Sequence, residues 1–360
     1  MHQAGDIITL TASAWRLRAP LSASSYGVLW QAESCTGGVP AALKLVNTEQ
    51  MALALPPLRA CWTRSAAAET AFLRALQPWD RRHIVGLLDS GTHLGQPALA
   101  LELLDGDLAR HLDALQARGD VVPLAQALDW IAQVNGALAK VHQYGWRHLD
   151  LKPSNLLLAD GGATLKLADF GTGRALADRA PHPYTGTAAW QAPEQFFAQD
   201  PVADGGAYRT DARADYFALG ALLYRLVAGT PLRYAGACAD AYRAHGTAGA
   251  ARLRALHGGG LPPTLAVDEA ALFERRVLQA GSSLPHPLTA APTPTPTPTP
   301  PSTAARARAS RDGAPALLLS LLRTLLAPRP EDRPRHALEI SRLLTRVDNA
   351  LAPLSLRSAA

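Results

Sequence analysis

The eight residues His148-Leu149-Asp150-Leu151-Lys152-Pro153-Ser154-Asn155 constrain this chain more than any other stretch. They set a carboxylate, an amine and an amide close together in otherwise apolar sequence. Taken alone, an octapeptide of this kind is equally compatible with a solvated surface loop. A second carboxylate follows in Leu165-Lys166-Leu167-Ala168-Asp169-Phe170-Gly171, after a Gly161-Gly162 turn flanked by apolar runs. Two such runs about a glycine pair predict a hairpin. It returns Asp169 to the side of Asn155, where both can bind a metal ion. Asp150 can then accept a hydroxyl proton while Lys152 faces a phosphate, and these are the tasks that phosphoryl transfer sets a protein.

A chain of 360 residues that is 48% hydrophobic can bury a large core, and its length suggests two domains or lobes. The best apolar run, Ala314 to Leu326, includes Arg323 and falls short of a bilayer span, so no membrane crossing is expected. The N-terminus lacks the basic start and apolar middle of a signal peptide, which predicts a cytoplasmic protein. Cys35, Cys61 and Cys238 are widely spaced and read as reduced thiols without a metal-ligand pattern. The net charge of +5 raises the question of a nucleic-acid partner, but the arginines are scattered, so none is expected. Lysine is scarce: Lys44, Lys140, Lys152 and Lys166 stand against many arginines. Because the two cations differ in geometry and hydration, a compact point charge is required at some of these four positions.

Taken in order, Trp15 to Ala32 reads as strand, small-residue turn and strand, with Ser22, Ser24 and Gly27 in or beside the turn. Short side chains let backbone amides approach a phosphate, although most such turns are only turns. Ala41 to Val46 is an apolar strand holding Lys44, which needs a partner if buried. Glu69 is the candidate, in a helix predicted over Ser65 to Leu76. Ile84 to Leu88 and Pro97 to Leu104 read as further strands. Helical spacing then begins, at Asp107 to Leu115 and Leu124 to His142, so a strand-rich part gives way to a helix-rich part near residues 103 to 107.

At these residues the chain resembles a eukaryotic-like (Hanks-type) Ser/Thr protein kinase of bacterial type, from about Trp15 to Leu344. The resemblance implies an α+β, two-lobed protein-kinase-like fold: an N-lobe antiparallel sheet plus one helix over 15–104, and a mainly helical C-lobe over 105–350. An N-terminal extension of 1–14 and a tail of 351–360 flank them. It implies ATP and Mg²⁺ as cofactors and a protein substrate with a Ser/Thr acceptor. Lys44 resembles the phosphate-holding lysine and Glu69 its helix partner. Ser22, Ser24, Gly27, Leu29, Ala42, Leu101, Glu102, Leu104, Asp107 and Leu157 fall where the family binds nucleotide. Asp150 resembles the catalytic base, Lys152 the Ser/Thr-type loop lysine, and Asn155 and Asp169 the metal ligands. His148, Phe170 and Gly171 complete the two loop motifs. Thr185, Thr187 and Ala192-Pro193-Glu194 resemble the end of the activation segment. Asp215 resembles the helix aspartate that anchors the catalytic loop, and Arg333 the arginine that pairs with Glu194.

Three departures bear on function. Ser22 and Ser24 stand where the family has its first two glycines, and a Cβ there hinders closure on a nucleotide, so ATP affinity is expected to be low. Titrating ATP against a Ser22→Gly, Ser24→Gly double variant measures this, and unchanged affinity refutes it. Leu149 replaces the arginine between His148 and Asp150, and leucine cannot pair with a phosphate on the activation segment. Activity is therefore expected to be independent of phosphorylation between Thr172 and Thr185. Arg147 is a possible stand-in whose side chain should point elsewhere. Finally, an insertion of about 236 to 312 contains Pro292-Thr293-Pro294-Thr295-Pro296-Thr297-Pro298-Thr299-Pro300-Pro301. Alternating Pro and Thr forms neither helix interior nor packed strand. It reads as an exposed surface insertion, with partner docking or phosphoacceptor threonines as alternatives. Two competing functions stay open beside the kinase: a pseudokinase-like scaffold and a small-molecule phosphotransferase.

Overall fold

Trp15 and Leu17, two apart in sequence, point the same way from one strand and are 4% and 0% exposed, as the period of an extended chain requires. That strand belongs to an antiparallel sheet in the computed structural model, which describes residues 2–23, 27–54, 56–198, 207–282 and 303–351. The strands are β1 (Ile7–Thr9), β2 (Ala14–Ala23), β3 (Gly27–Ser34), β4 (Pro40–Val46), β5 (Leu87–His93) and β6 (Gln96–Glu102), in the order β1-β2-β3-β4-β6-β5. Their inward side chains, including Ile8, Leu43, Leu45, Ala98 and Ala100, form one apolar cluster with Leu10 of the β1–β2 turn. Buried Asp89 pins the β1–β2 turn by accepting from the N–H groups of Ala12 and Ser13 and from the Trp15 indole.

The helices α1 (Thr48–Leu53) and α2 (Pro56–Ala75) lie between β4 and β5. The second starts nine residues earlier than the expected Ser65, since proline is well tolerated in a helix's first turn. Ile84 to Leu88, expected as a strand, is instead largely loop. Ile84 makes only an isolated bridge to Leu167, and the strand begins at Leu87. The chain continues through β7 (Gly106–Asp107), α3 (Leu108–Arg118), α4 (Leu124–Gln143), β8 (Trp146–Arg147), β9 (Leu156–Ala159), β10 (Thr164–Leu167) and β11 (Arg174–Ala175). The expected glycine hairpin is present. β9 and β10 pair antiparallel, and Gly161 and Gly162 turn at φ 66° and 92°, where glycine carries no Cβ penalty.

The described residues of 1–111 and 136–178 form one compact unit, and those of 112–135 and 179–360 form a second. The second contains α5 (Pro193–Phe196), α6 (Arg213–Ala228), α7 (Arg233–His245), α8 (Gly249–Leu256), α9 (Val267–Ser282), α10 (Thr303–Leu325) and α11 (Ala337–Leu351). From Ala214 to Leu226, α6 is buried on nearly all sides, which marks it as the unit's central helix. Most of the expected insertion before residue 283 is helical and packed: Cys238 and Phe273 are fully buried, and burial pushes the Cys238 thiol up to about 12. Its Pro/Thr tract, with Thr293, Thr295, Thr297 and Thr299, lies outside the described residues. Among the described residues, no helix is long and apolar enough to cross a membrane.

Candidate active site

Lys44 sits inside β4, with Leu29 of β3 and Leu99 of β6 as its cross-strand neighbours. A cation in so apolar a strand must be compensated, and α2 supplies the means. Glu69, 1% exposed, accepts from the Lys44 ammonium at 2.9 and 2.7 Å through its two oxygens. Asp169 Oδ1 takes the third lysine proton at 2.7 Å. The Phe170 N–H closes the group by donating to Glu69 Oε1 at 3.2 Å. Burial opposes the charge on Lys44, yet the Asp169 and Glu69 carboxylates outweigh it and hold the ammonium above its usual pKa. Burial drives the Glu69 carboxyl upward against the pull of Lys44. The Lys44 charge holds Asp169 down to about 2. A carboxyl depressed in this way adds stability at pH values above its ordinary pKa, and loses that contribution as pH falls toward 2.

Residues 148–155 form a second knot in the same unit. His148 is fully buried; it accepts from the Asp150 N–H at Nδ1 (3.3 Å), so Nε2 carries the proton and donates to Ala168 O at 3.1 Å. Lys152 Nζ donates to Asp150 Oδ2 at 2.7 Å. A 3-10 turn at Pro153–Asn155 aims the Asn155 amide back, so that Nδ2 donates to Asp150 O at 2.8 Å and to Oδ2 at 3.2 Å. Asp150 Oδ1 is buried and accepts no hydrogen bond from the described residues. The Ala168 N–H donates to Asn155 O at 2.9 Å, which ties the residue before Asp169 to Asn155, as the hairpin predicts.

Leu149 is 3% exposed and holds φ +66°, and Asp169 holds φ +61°. A left-handed leucine costs about 1–2 kcal/mol, so packing must enforce it; aspartate tolerates this region better. Arg147 is buried and donates to Asp178 O at 2.8 Å. Phe170 packs on Phe72 at 4.5 Å and edge-on to His148 at 5.0 Å, and Gly171 follows it closely enough that a Cβ would lie 3.4 Å from Asp169 Oδ1.

The expected nucleotide residues that are described lie on β2, β3, β4, β6, β7 and β9 and on the stretch after β6. Ala42 pairs with Leu101 across β4 and β6, Leu157 of β9 pairs with Asp107 of β7, and Asp107 Oδ1 caps Arg110 N–H at 2.9 Å. Leu104 follows the end of β6 and is half-buried. Ser22 pairs with Leu29, Gly27 opens β3, and Ser24 lies outside the described residues. In the second unit, Thr185 O accepts from the Gln191 amide, and Thr187 O accepts from Trp190 N–H. Asp215 is 1% exposed in the first turn of α6, and Arg333 meets Glu194 in a two-pronged ion pair.

Sequence reasoning singled out four lysines without naming partners for two of them. All four hold a carboxylate: Lys140 pairs with Asp80 and Lys166 with Glu102, each at 2.7 Å. Tyr144 OH also donates to Asp80 at 2.8 Å and accepts from Gln77 N–H at 3.1 Å, so the end of α2 is fastened near α4. Phe72, three residues after Glu69, lies on the apolar face of the predicted helix, and its place beside the site was not anticipated. It fills the space between Tyr144, Trp146 and Phe170. Its helical spacing from Glu69 was the available signal.

The sequence model of the protein kinase domain matches residues 23–339. Serine/threonine-protein kinase PknL of Mycobacterium tuberculosis is 37% identical over 174 residues, 47% of this chain and 40% of PknL. Serine/threonine-protein kinase PkaA of Streptomyces coelicolor is 33% identical over 251 residues, 65% of this chain and 42% of PkaA. The DNA damage-responsive serine/threonine-protein kinase RqkA of Deinococcus radiodurans is 39% identical over 156 residues, 41% of this chain and 21% of RqkA. The chain thus spans less than half the length of each of these relatives. A match over most of its own length, spanning Lys44, Glu69 and Asp169 already joined in space, leaves one conclusion: the chain belongs to the protein kinase domain family.

Proposed function

We propose that this chain transfers the terminal phosphoryl group of ATP to Ser or Thr hydroxyls of protein substrates, itself included, with Asp150 as the base. The observation that carries this most directly is the buried Asp150 Oδ1, which has no hydrogen-bond partner among the described residues. Its sister oxygen is held by Lys152 and Asn155. A buried carboxylate oxygen without a donor is costly unless an incoming O–H completes it.

The donor set suits a hard cation. Asp169 offers a carboxylate that is half exposed, and Asn155 an amide, both with oxygen ligands of the kind Mg²⁺ takes together with substrate phosphates. Among the described residues no group of three or more His, Cys, Asp or Glu converges on an ion, and a site completed by phosphate oxygens needs none. When bound, Mg²⁺ would supply charge neutralisation on the phosphate oxygens. The chain's own residues supply the rest. Glu69 holds Lys44 extended toward the Asp169 side, where the ammonium can meet a phosphate without first being ordered. Lys152, beside the base, can neutralise the phosphoryl group on the acceptor side, and Asp150 takes the hydroxyl proton. ATP contacts at Leu29, Ala42, Leu101, Leu104 and Leu157 would be apolar, with Asp107 toward the ribose.

Incubating the purified protein with labelled ATP, Mg²⁺ and a Ser/Thr-rich protein acceptor tests the assignment. Label on Ser or Thr is expected. Nucleotide binding without transfer would instead identify a scaffold, and label confined to small molecules a small-molecule phosphotransferase. Run on phosphatase-treated protein and on Thr185→Ala, the same assay is expected to give activity within about threefold of the untreated wild type, since Leu149 offers no charge for a phosphate to pair with. Loss of activity in both refutes phosphorylation-independence while leaving the transfer reaction intact.

A further inference from the structure

Lys166 is the one lysine of the four whose position on β10 leads straight to Asp169 while its charge goes elsewhere. Its ammonium donates to both oxygens of Glu102, at 2.7 and 2.9 Å. Glu102 closes β6 and begins the segment that runs through Leu104 to Asp107. The same carboxylate accepts the Gly86 N–H at 2.6 Å, and the Glu102 N–H donates back to Gly86 O at 2.9 Å. Gly86 is specifically suited to this contact, because a Cβ there would lie 3.2 Å from Glu102 Oε1 and 3.3 Å from its carboxyl carbon. One carboxylate thus joins three separate pieces of chain: the end of β6, the loop before β5, and β10.

The neighbouring pieces are already held by backbone bonds. Val85 N–H donates to Leu167 O and Leu167 N–H to His83 O, both at 2.9 Å, and Asp105 N–H donates to Leu158 O at 3.0 Å. The fold therefore does not depend on the ion pair. What the pair adds is a fixed direction at the point where the β4–β6 ladder stops, since Ala41 and Glu102 are its last partners. The backbone that follows is the stretch placed to receive the base of a nucleotide. A segment that must be ordered on binding subtracts its ordering cost from affinity, whereas a preformed edge does not.

We propose that Lys166 is a positioning residue: through Glu102 it fixes segment 102–107 against the strand that carries Asp169, so that nucleotide meets a preformed edge. This rests on the kinase assignment above, and it adds to that assignment a residue outside the set that touches nucleotide, acceptor or metal.

The test compares wild type with Lys166→Met, which keeps the apolar stem and deletes the charge, Lys166→Arg, which restores a charge, and Gly86→Ala, which crowds the Glu102 carboxylate. ADP affinity is read by calorimetry, KM for ATP and kcat by transfer, and amide exchange over 102–107 by mass spectrometry. Lys166→Met is expected to weaken ADP and raise KM by about two- to fivefold, the scale of one partly exposed ion pair. It should hold kcat within about twofold and speed exchange over 102–107 without ligand. Lys166→Arg should recover most of the affinity, and Gly86→Ala should reproduce the loss with the lysine still present. Unchanged ADP affinity and exchange in Lys166→Met, in a wild type that binds ADP, would overturn the positioning role and leave the kinase assignment standing. A fall in kcat at constant KM would overturn it equally. A wild type that binds neither ADP nor ATP would overturn the kinase assignment, and this inference with it.

Discussion

Asp150→Asn is expected to lower the rate of phosphoryl transfer by about 10²–10⁴-fold, the usual worth of a positioned proton acceptor, while nucleotide affinity changes little. Asparagine has the same shape and keeps an oxygen, so the Asn155 and His148 contacts of the loop survive. What disappears is the ability to take a proton. The free oxygen that could receive it, Oδ1, is buried, and the other is occupied by Lys152 at 2.7 Å and Asn155 at 3.2 Å. Lys152 is 21% exposed on its side chain, so losing its anion leaves a cation that water can still reach. The penalty should therefore fall on chemistry and not on folding. Single-turnover transfer, ADP affinity and thermal melting separate the three. Transfer within tenfold of wild type would remove Asp150 from the role of base; loss of ADP binding or a lowered melting point would mean that it acts through structure.

How much of this site was legible in advance depended on whether the signal was local. Lys44 stood out as one charge in an apolar strand. Asn155 and Asp169 were placed together by a turn that only a glycine pair makes cheaply, and the observed β9–β10 pairing with the Ala168–Asn155 bond follows from it. The left-handed backbone at Leu149 had no such signal, because leucine has no preference for it and only the surrounding packing imposes it. Glu102 and Lys166 are 64 residues apart, and Asp80 and Tyr144 are likewise 64 apart. The scarcity of lysine pointed to some of the four without saying which, and a surface-looking carboxylate carries no mark of the partner it will meet. Helix limits moved for a related reason. Proline at the start of α2 reads as a break in sequence and works as a first turn in space. The apolar run that opens at Ala314 is the later part of a helix whose first turn is at Thr303.

The largest effect on stability is expected from Arg333→Ala, which should cost about 3–5 kcal/mol, the loss typical of breaking a buried ion pair from one side. The guanidinium is fully buried, and each of its five N–H donors has an acceptor. Two meet the Glu194 oxygens at 2.7 and 2.9 Å. The other three go to Ala327 O at 2.8 Å and to Arg213 O and Pro328 O at 3.1 Å, while the group lies 5.0 Å over the Phe217 ring. One side chain thus binds α5, the start of α6 and the loop after α10. Alanine would strand a carboxylate that is 8% exposed together with three carbonyls. Arg333→Lys should restore little, since three donors on a single nitrogen cannot match a planar fork. Glu194→Gln, which keeps the shape and an acceptor, should cost less than Arg333→Ala, because the guanidinium it leaves without a counter-ion still meets three carbonyls and the Phe217 ring. For a unit of this size the alanine variant should melt on the order of 10 °C lower, and a drop of under about 2 °C would show that the second unit is held without this pair. That ranking of Ala, Lys and Gln distinguishes a network that must be completed from a simple attraction between opposite charges. Under simple attraction, Lys would rescue and Gln would be the more damaging change.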